Sequence, residues 1–331
     1  MIPSERRHYR RALLLCVAVC LLVMPSSSWA AEKMRLRVDD YQIDAELTPH
    51  THKISARAKV KFTALDDLSI ATFELHNALR VTKVLDAAGK PLSAERVTQD
   101  STIRVPLTTP VAKDSSSTLT FEYEGALDSA DDSPVQGLKL AYISDDTTYL
   151  LYAGRWFPVN AYGINRFTAT MNITVPAHMI VIGSGKESAG AAPATKRPAG
   201  ALPTKTFAFT WDKPSFPGTI VAGIFQESKS DEAGLDLHVF FKPAHQTLGV
   251  SYATTAVKEF TYYVTLYGPA PSTTLKVVEI PDDTVPAAWA PEIAAISSRA
   301  VTEKVNYRLL ANTIAHQWWG ASVSPASRDD W

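Results

Sequence analysis

The chain has 331 residues, 46% of them hydrophobic and 20% charged, with a formal net charge of −1. That is the composition of a globular protein long enough to fold as two domains. Four of its 33 basic residues and one of its 34 acidic residues lie in the first thirty, so residues 31–331 carry a net charge of −4. This balance argues against binding to nucleic acid and gives no electrostatic pull toward anionic lipid.

In chain order, the first feature is an export signal. Arg6, Arg7, Arg10 and Arg11 precede an apolar run from Ala12 to Met24, and Ser28-Trp29-Ala30 offers small residues before a cut. The run is shorter than the roughly 20 residues a helix needs to cross a bilayer. The expectation is removal of residues 1–30, export to the periplasm or beyond, and no stable membrane span. Cys16 and Cys20 both lie in that run. A mature chain without cysteine has no disulfide, no thiol nucleophile and no cysteine-bound metal.

Residues 31–233 read as an antiparallel, β-sandwich-like domain. Tyr41, Ile43, Ala45 and Leu47 alternate with polar residues, Pro49-His50-Thr51-His52 forms a turn, and Ile54, Ala56, Ala58, Val60 and Phe62 continue the alternation. Period two with one apolar face is the pattern of a half-buried hairpin. Shorter strands are expected over Thr102–Leu107, Leu119–Tyr123, Phe167–Val175, His178–Ile182, Thr206–Trp211 and Thr219–Phe225. The Ala-, Gly- and Pro-rich stretch from Lys186 to Thr204 reads as a surface loop.

Residues 234–331 change character. Leu237–Phe241 and Leu275–Ile280 read as strands. Ser251–Leu266 reads as a helix with Ala256, Phe260, Tyr263 and Leu266 at helical spacing, closed by Gly268-Pro269. Glu292–Ile296 and Thr302–Trp319 are also expected to be helical. Alternating strands and helices after an all-β start imply an α+β domain.

The most specific segment is Asn312-Thr313-Ile314-Ala315-His316-Gln317-Trp318-Trp319-Gly320. It resembles the H-E-x-x-H-Q-W-[WF]-G helix of the gluzincin aminopeptidases, the family of membrane alanyl aminopeptidase and leukotriene hydrolase. Trp156-Phe157-Pro158, the Phe167–Pro176 strand, Gly223-Ile224-Phe225 and Lys276–Asp282 carry the resemblance over most of the chain. It implies a β domain followed by the first part of a thermolysin-like metallopeptidase domain, with zinc as the family's cofactor and peptide N-termini as its substrates.

Transferred residue by residue, that pattern is broken. His316 falls on the second zinc ligand, Asn312 on the first, and Thr313 on the glutamate that activates water. Pro286-Ala287-Ala288-Trp289-Ala290 falls on the family's Gly-x-Met-Glu-Asn loop, so Trp289 stands where a glutamate holds the substrate's amino group. Glu292, out of register, is expected only to start a helix. Ser327-Arg328-Asp329-Asp330-Trp331 matches the approach to the third ligand, which is expected beyond Trp331. A catalytic zinc uses three protein ligands plus water, and a threonine is no general base near neutral pH. Tight zinc binding and peptidase activity are therefore not expected of this chain.

Other candidates read as structure. Trp318 and Trp319 are expected to pack in the core and anchor the helix end. His50 and His52 sit at a hairpin tip, and His238 and His245 flank a strand without an evident carboxylate pattern. Glu279, Asp282 and Asp283 read as solvated turn residues. No phosphate-cradling glycine loop and no nucleophile elbow is present. Three readings stay open: an early-terminated product of an aminopeptidase-like gene, an exported non-catalytic protein that binds peptides or a protein partner, and a peptidase with an unusual site.

Overall fold

The computed structural model describes residues 34–190 and 202–325. The expected export signal, Asp329, Asp330 and most of the Lys186–Thr204 stretch lie outside them. The described part of that stretch is not all loop, because Lys186–Ala189 adds an antiparallel strand to Phe207–Thr210.

The strands in chain order are β1 (Leu36–Thr48), β2 (Lys53–Ala64), β3 (Leu68–Glu74), β4 (Leu79–Leu85), β5 (Pro91–Leu92), β6 (Glu95–Val97), β7 (Thr102–Val111) and β8 (Ser116–Ala126). They continue with β9 (Ala141–Tyr142), β10 (Thr147–Leu150), β11 (Phe167–Pro176), β12 (Ile180–Ile182), β13 (Lys186–Ala189), β14 (Thr204–Ser215) and β15 (Ile220–Gly223). The last five are β16 (Gln226–Glu232), β17 (Leu235–Phe241), β18 (Thr274–Ile280), β19 (Ala287–Ala290) and β20 (Ile293–Ser297). Two α-helices follow β17 and β20 in the chain: α1 (Gly249–Tyr267) and α2 (Tyr307–Ala315).

The amino-terminal part is built on an eight-stranded sheet in the order β13-β14-β11-β1-β2-β8-β4-β5. Its centre is the hairpin read from sequence. Ile43 lies opposite Ala58, Ala45 opposite Ala56 and Leu47 opposite Ile54, and all six are buried. Period-two alternation thus places one complete face in the core. The turn forms at Pro49–Thr51, with His52 at φ +56°. The sheet is mostly antiparallel, though β1 and β11 run parallel.

Smaller sheets, β12-β15-β10-β9 and β3-β7-β6, complete this part. Trp156, Phe157, Tyr41 and Phe167 form its aromatic centre. Trp156 Nε1 donates to Gly218 O at 2.7 Å and Tyr41 Oη to Pro158 O at 2.7 Å, so the polar tips of the buried rings are paired.

The carboxy-terminal part is a five-stranded sheet in the order β16-β17-β18-β20-β19. β17, β18 and β20 are parallel to one another, and β19 closes an antiparallel hairpin with β20. One sheet face packs on α1 and α2 through Val239, Val277, Ala294, Ile296, Phe260 and Ile314. The opposite face, with Val278, Ile280, Ile293 and Ala295, packs on residues of the amino-terminal part. A part of mixed strands and helices thus follows a β-rich part in the chain.

Three expectations change here. Ile293–Ile296 is strand, not helix: every residue of β20 is buried, and a strand covered on both faces shows an unbroken apolar run without alternation. The last helix begins at Tyr307 instead of Thr302, where the Asn306 side chain accepts a hydrogen bond from Leu309 N at 3.3 Å, an N-cap. Leu266 and Tyr267 are half exposed, and the buried stripe of α1 is Tyr252, Ala253, Ala256, Val257 and Phe260. Among the described residues no helix is long and apolar enough to cross a membrane.

Candidate peptidase-type site

The helix α2 places Leu310, Thr313 and Ile314 in the core and leaves Asn312 exposed. Asn312 and His316, four apart, share a helix face. Thr313 is 2% exposed, and its hydroxyl donates to Leu309 O at 2.7 Å. The Thr313 hydroxyl is therefore committed to the helix's own backbone.

His316 ends α2. Its Nδ1 lies 2.8 Å from Trp319 O. A carbonyl can only accept, so Nδ1 carries the proton and Nε2 keeps the lone pair. Burial lowers the imidazole pKa, partly offset by the Trp319 hydrogen bond.

The residue that decides the character of the site is Trp289. Its ring stacks on the His316 imidazole, with centroids 4.9 Å apart and planes 7° from parallel, and meets Phe216 edge-on at 6.3 Å. Gly320 makes room for it. At φ +121° a Cβ there would come within 2.3 Å of the indole. Positions 289 and 316 thus meet as stacked rings.

The surviving framework residues have structural work. The Gln317 side chain donates to Ala290 O at 3.0 Å and accepts from Glu292 N at 2.8 Å, tying the β19–β20 hairpin to the end of α2. Trp318 is buried and donates from Nε1 to Gly268 O at 3.0 Å. Trp319 departs from the core expectation: it is 48% exposed and meets the Tyr267 ring edge-on at 4.3 Å. Arg166 holds the segment that follows, with its guanidinium donating to Ser322 O at 3.0 Å and to Ala321 O.

Glu292 starts no helix. It sits in the β19–β20 turn at φ +64° and is 7% exposed. Its carboxylate accepts from Ser272 Oγ at 2.6 Å and Gly185 N at 2.9 Å, with Lys276 Nζ at 3.4 Å. Those donors hold the carboxylate in place within the β19–β20 turn.

A second polar cluster was missed by sequence reading. Glu279 is fully buried, not a solvated turn residue. It accepts from Ser298 Oγ at 2.6 Å, Lys242 N at 2.9 Å and His245 Nδ1 at 2.9 Å. His238 likewise has carboxylate partners, Glu227 at 2.7 Å and Asp236 at 3.0 Å. Asp282 accepts from Arg299 N at 2.6 Å, and Asp283 pairs with Lys139 at 2.8 Å. Of the hairpin-tip pair, His50 is exposed beside Asp145 at 3.6 Å, whereas His52 lies 2.5 Å from Ile143 O.

As a zinc site this donor set does not fit. His316 offers one nitrogen, and Asn312 a neutral amide, a poor ligand for a borderline-soft ion. Among the described residues no group of three or more His, Cys, Asp or Glu side chains is arranged to hold a metal.

No protein-family model matches the chain, and no curated protein does. Solved structures do. The M1 zinc metallopeptidase of Deinococcus radiodurans superposes with a TM-score of 0.69 at 19% identity, over 90% of this chain and 67% of that one. A mutant of that enzyme bound to a Tyr-Ser-Ala substrate gives 0.67 at 18% over the same shares.

The fold is that of an M1 zinc metallopeptidase.

Proposed function

We propose that this chain is a non-catalytic M1-fold protein, exported by its first thirty residues, which keeps the peptidase cleft's frame as a binding surface for peptides or a protein partner. The observation that carries this reading is the Trp289–His316 stack. An indole lies against the one imidazole left at the motif, in place of a carboxylate that would face a substrate amine.

The chemical losses compound. General-base catalysis contributes roughly 10²–10⁴ in rate, and Thr313 supplies none of it. Among the described residues no three His, Cys, Asp or Glu side chains are arranged as a catalytic zinc requires. Gln317, Trp318 and Gly320 retain the geometry of the hairpin and helix end, which supports a maintained fold without maintained chemistry.

The test is metal analysis of the purified full chain after zinc addition and desalting, together with hydrolysis of amino-acid anilides. The expected result is substoichiometric zinc and no turnover above that of a His316→Ala variant. Chelator-sensitive turnover that His316→Ala abolishes would overturn the reading.

A further inference from the structure

We propose that the slot bounded by His316, Phe216 and Gly320 is a binding site for an aromatic side chain of a peptide or protein partner, and that Trp289 closes it as an autoinhibitory plug. The proposal deepens the reading of this region as a binding surface and rests on it.

The first observation is the chemistry of the group already seated there. The Trp289 indole is met on three sides: by the His316 imidazole face at 4.9 Å, by the Phe216 ring edge-on at 6.3 Å, and by the backbone of Gly320, where an added Cβ would run into the indole. Stacked and edge-to-face ring partners favour a flat π-system over an aliphatic group of similar size. Gly320 has φ +121°, a conformation suited to glycine, and its missing side chain is what leaves the space.

The walls are also fixed without help from Trp289. The His316 imidazole is held by the bond from its Nδ1 to Trp319 O at 2.8 Å. Phe216 is buried and stacks on Tyr152 with centroids 5.6 Å apart. The chain after Gly320 is tied down by Ser215 Oγ, which donates to Ala321 O at 3.0 Å, and by Arg166, which donates to Ser322 O at 3.0 Å. Walls held in this way leave a preformed slot when the indole departs. A preformed apolar slot takes up an aromatic ring at little ordering cost.

The plug itself rides on an edge. Among the described residues β19 pairs with β20 alone, and the Trp289 side chain is only partly buried. Ala290 beside it is buried, and its carbonyl is pinned by the Gln317 side chain at 3.0 Å. Rotation about the Trp289 side-chain torsions therefore opens the slot without unpairing the hairpin. A plug seated about nine-tenths of the time lowers the apparent affinity of a competing ring about tenfold.

The experiment titrates N-acetyl-tryptophanamide into the full chain and into Trp289→Ala by isothermal calorimetry, with N-acetyl-leucinamide as the comparison probe. Trp289→Ala is expected to bind the tryptophan probe at least about tenfold more tightly than wild type, and to prefer it to the leucine probe. His316→Ala in that background removes the stacking wall and is expected to reverse the gain. Tyr262→Leu, an exposed position on α1 outside the slot, leaves it unchanged. Trp289→Val, whose β-branched side chain suits a strand, opens the same slot and serves where alanine lowers the yield of folded chain, as read by circular dichroism. Equal affinity of wild type and either folded variant would overturn the proposal, as would equal binding of the two probes. The titration needs no metal, so its failure overturns this proposal alone. Zinc-dependent turnover by the wild type would overturn the reading beneath it as well.

Discussion

The Trp289 indole and the His316 imidazole stack with centroids 4.9 Å apart and planes 7° from parallel. One partner comes from the edge strand β19 and the other from the end of α2, so the contact also fastens the hairpin to the helix. Burial keeps the imidazole pKa below its ordinary value, which favours the neutral ring against the indole.

Trp289→Ala is expected to expose His316 and raise its pKa toward 6.5, read by the ring proton shifts in an NMR titration. Because Trp289 is only partly buried, the stability loss should be about 2 kcal/mol, less than the ~3–5 of a fully buried Trp→Ala change. Urea denaturation measures it.

Asn312→His gives α2 two imidazoles four residues apart. Nickel or zinc affinity should rise at least about tenfold over wild type, because a bidentate pair forms on one helix face. Isothermal titration reads the gain, and His316→Ala in the same background should remove it. Peptidase activity is not expected of this variant, since a threonine at 313 is no general base near neutral pH.

Glu279 receives three donors from segments far apart in sequence. Glu279→Ala strands all three and should cost roughly 3–5 kcal/mol, the range for breaking a buried charged network. Glu279→Gln keeps one acceptor oxygen and should cost less. Thermal melts of the two variants rank them.

Two groups set opposite pH dependences. The Glu259 carboxyl rises to about 8 in the folded chain through burial, above its ordinary value of 4.5, so it favours the fold when protonated. Its contribution is full below 4.5 and is lost as pH rises through about 8. Glu259→Gln should therefore raise the melting temperature most at alkaline pH. The His76 imidazole falls to about 4, chiefly through burial, and its contribution is present above 6.5 and lost as pH falls toward 4. His76→Asn should flatten the acid side of the stability curve.

Half-buried strands were legible in the sequence because alternation survives burial of one face, as at Tyr41–Leu47 and Ile54–Phe62. β20 was not, because both of its faces are covered and Ile293–Ile296 then carries no period. The helix that ends at Ala315 was legible from the segment around His316, though it starts five residues later than expected. The stacking of Trp289 on His316 was not, since ring contacts between a hairpin and a helix leave no trace in spacing. The burial of Glu279 escaped for the same reason: Lys242, His245 and Ser298 converge on it only once β17, β18 and β20 lie side by side.

The proposed reading requires that the segment from Asn312 to His316 does not hold zinc tightly. Inductively coupled plasma mass spectrometry on the purified full chain, loaded with zinc and passed through a desalting column, tests it most directly. The account predicts far less than one zinc per chain, unchanged by His316→Ala. One tightly held zinc per chain, lost in that variant, would contradict it.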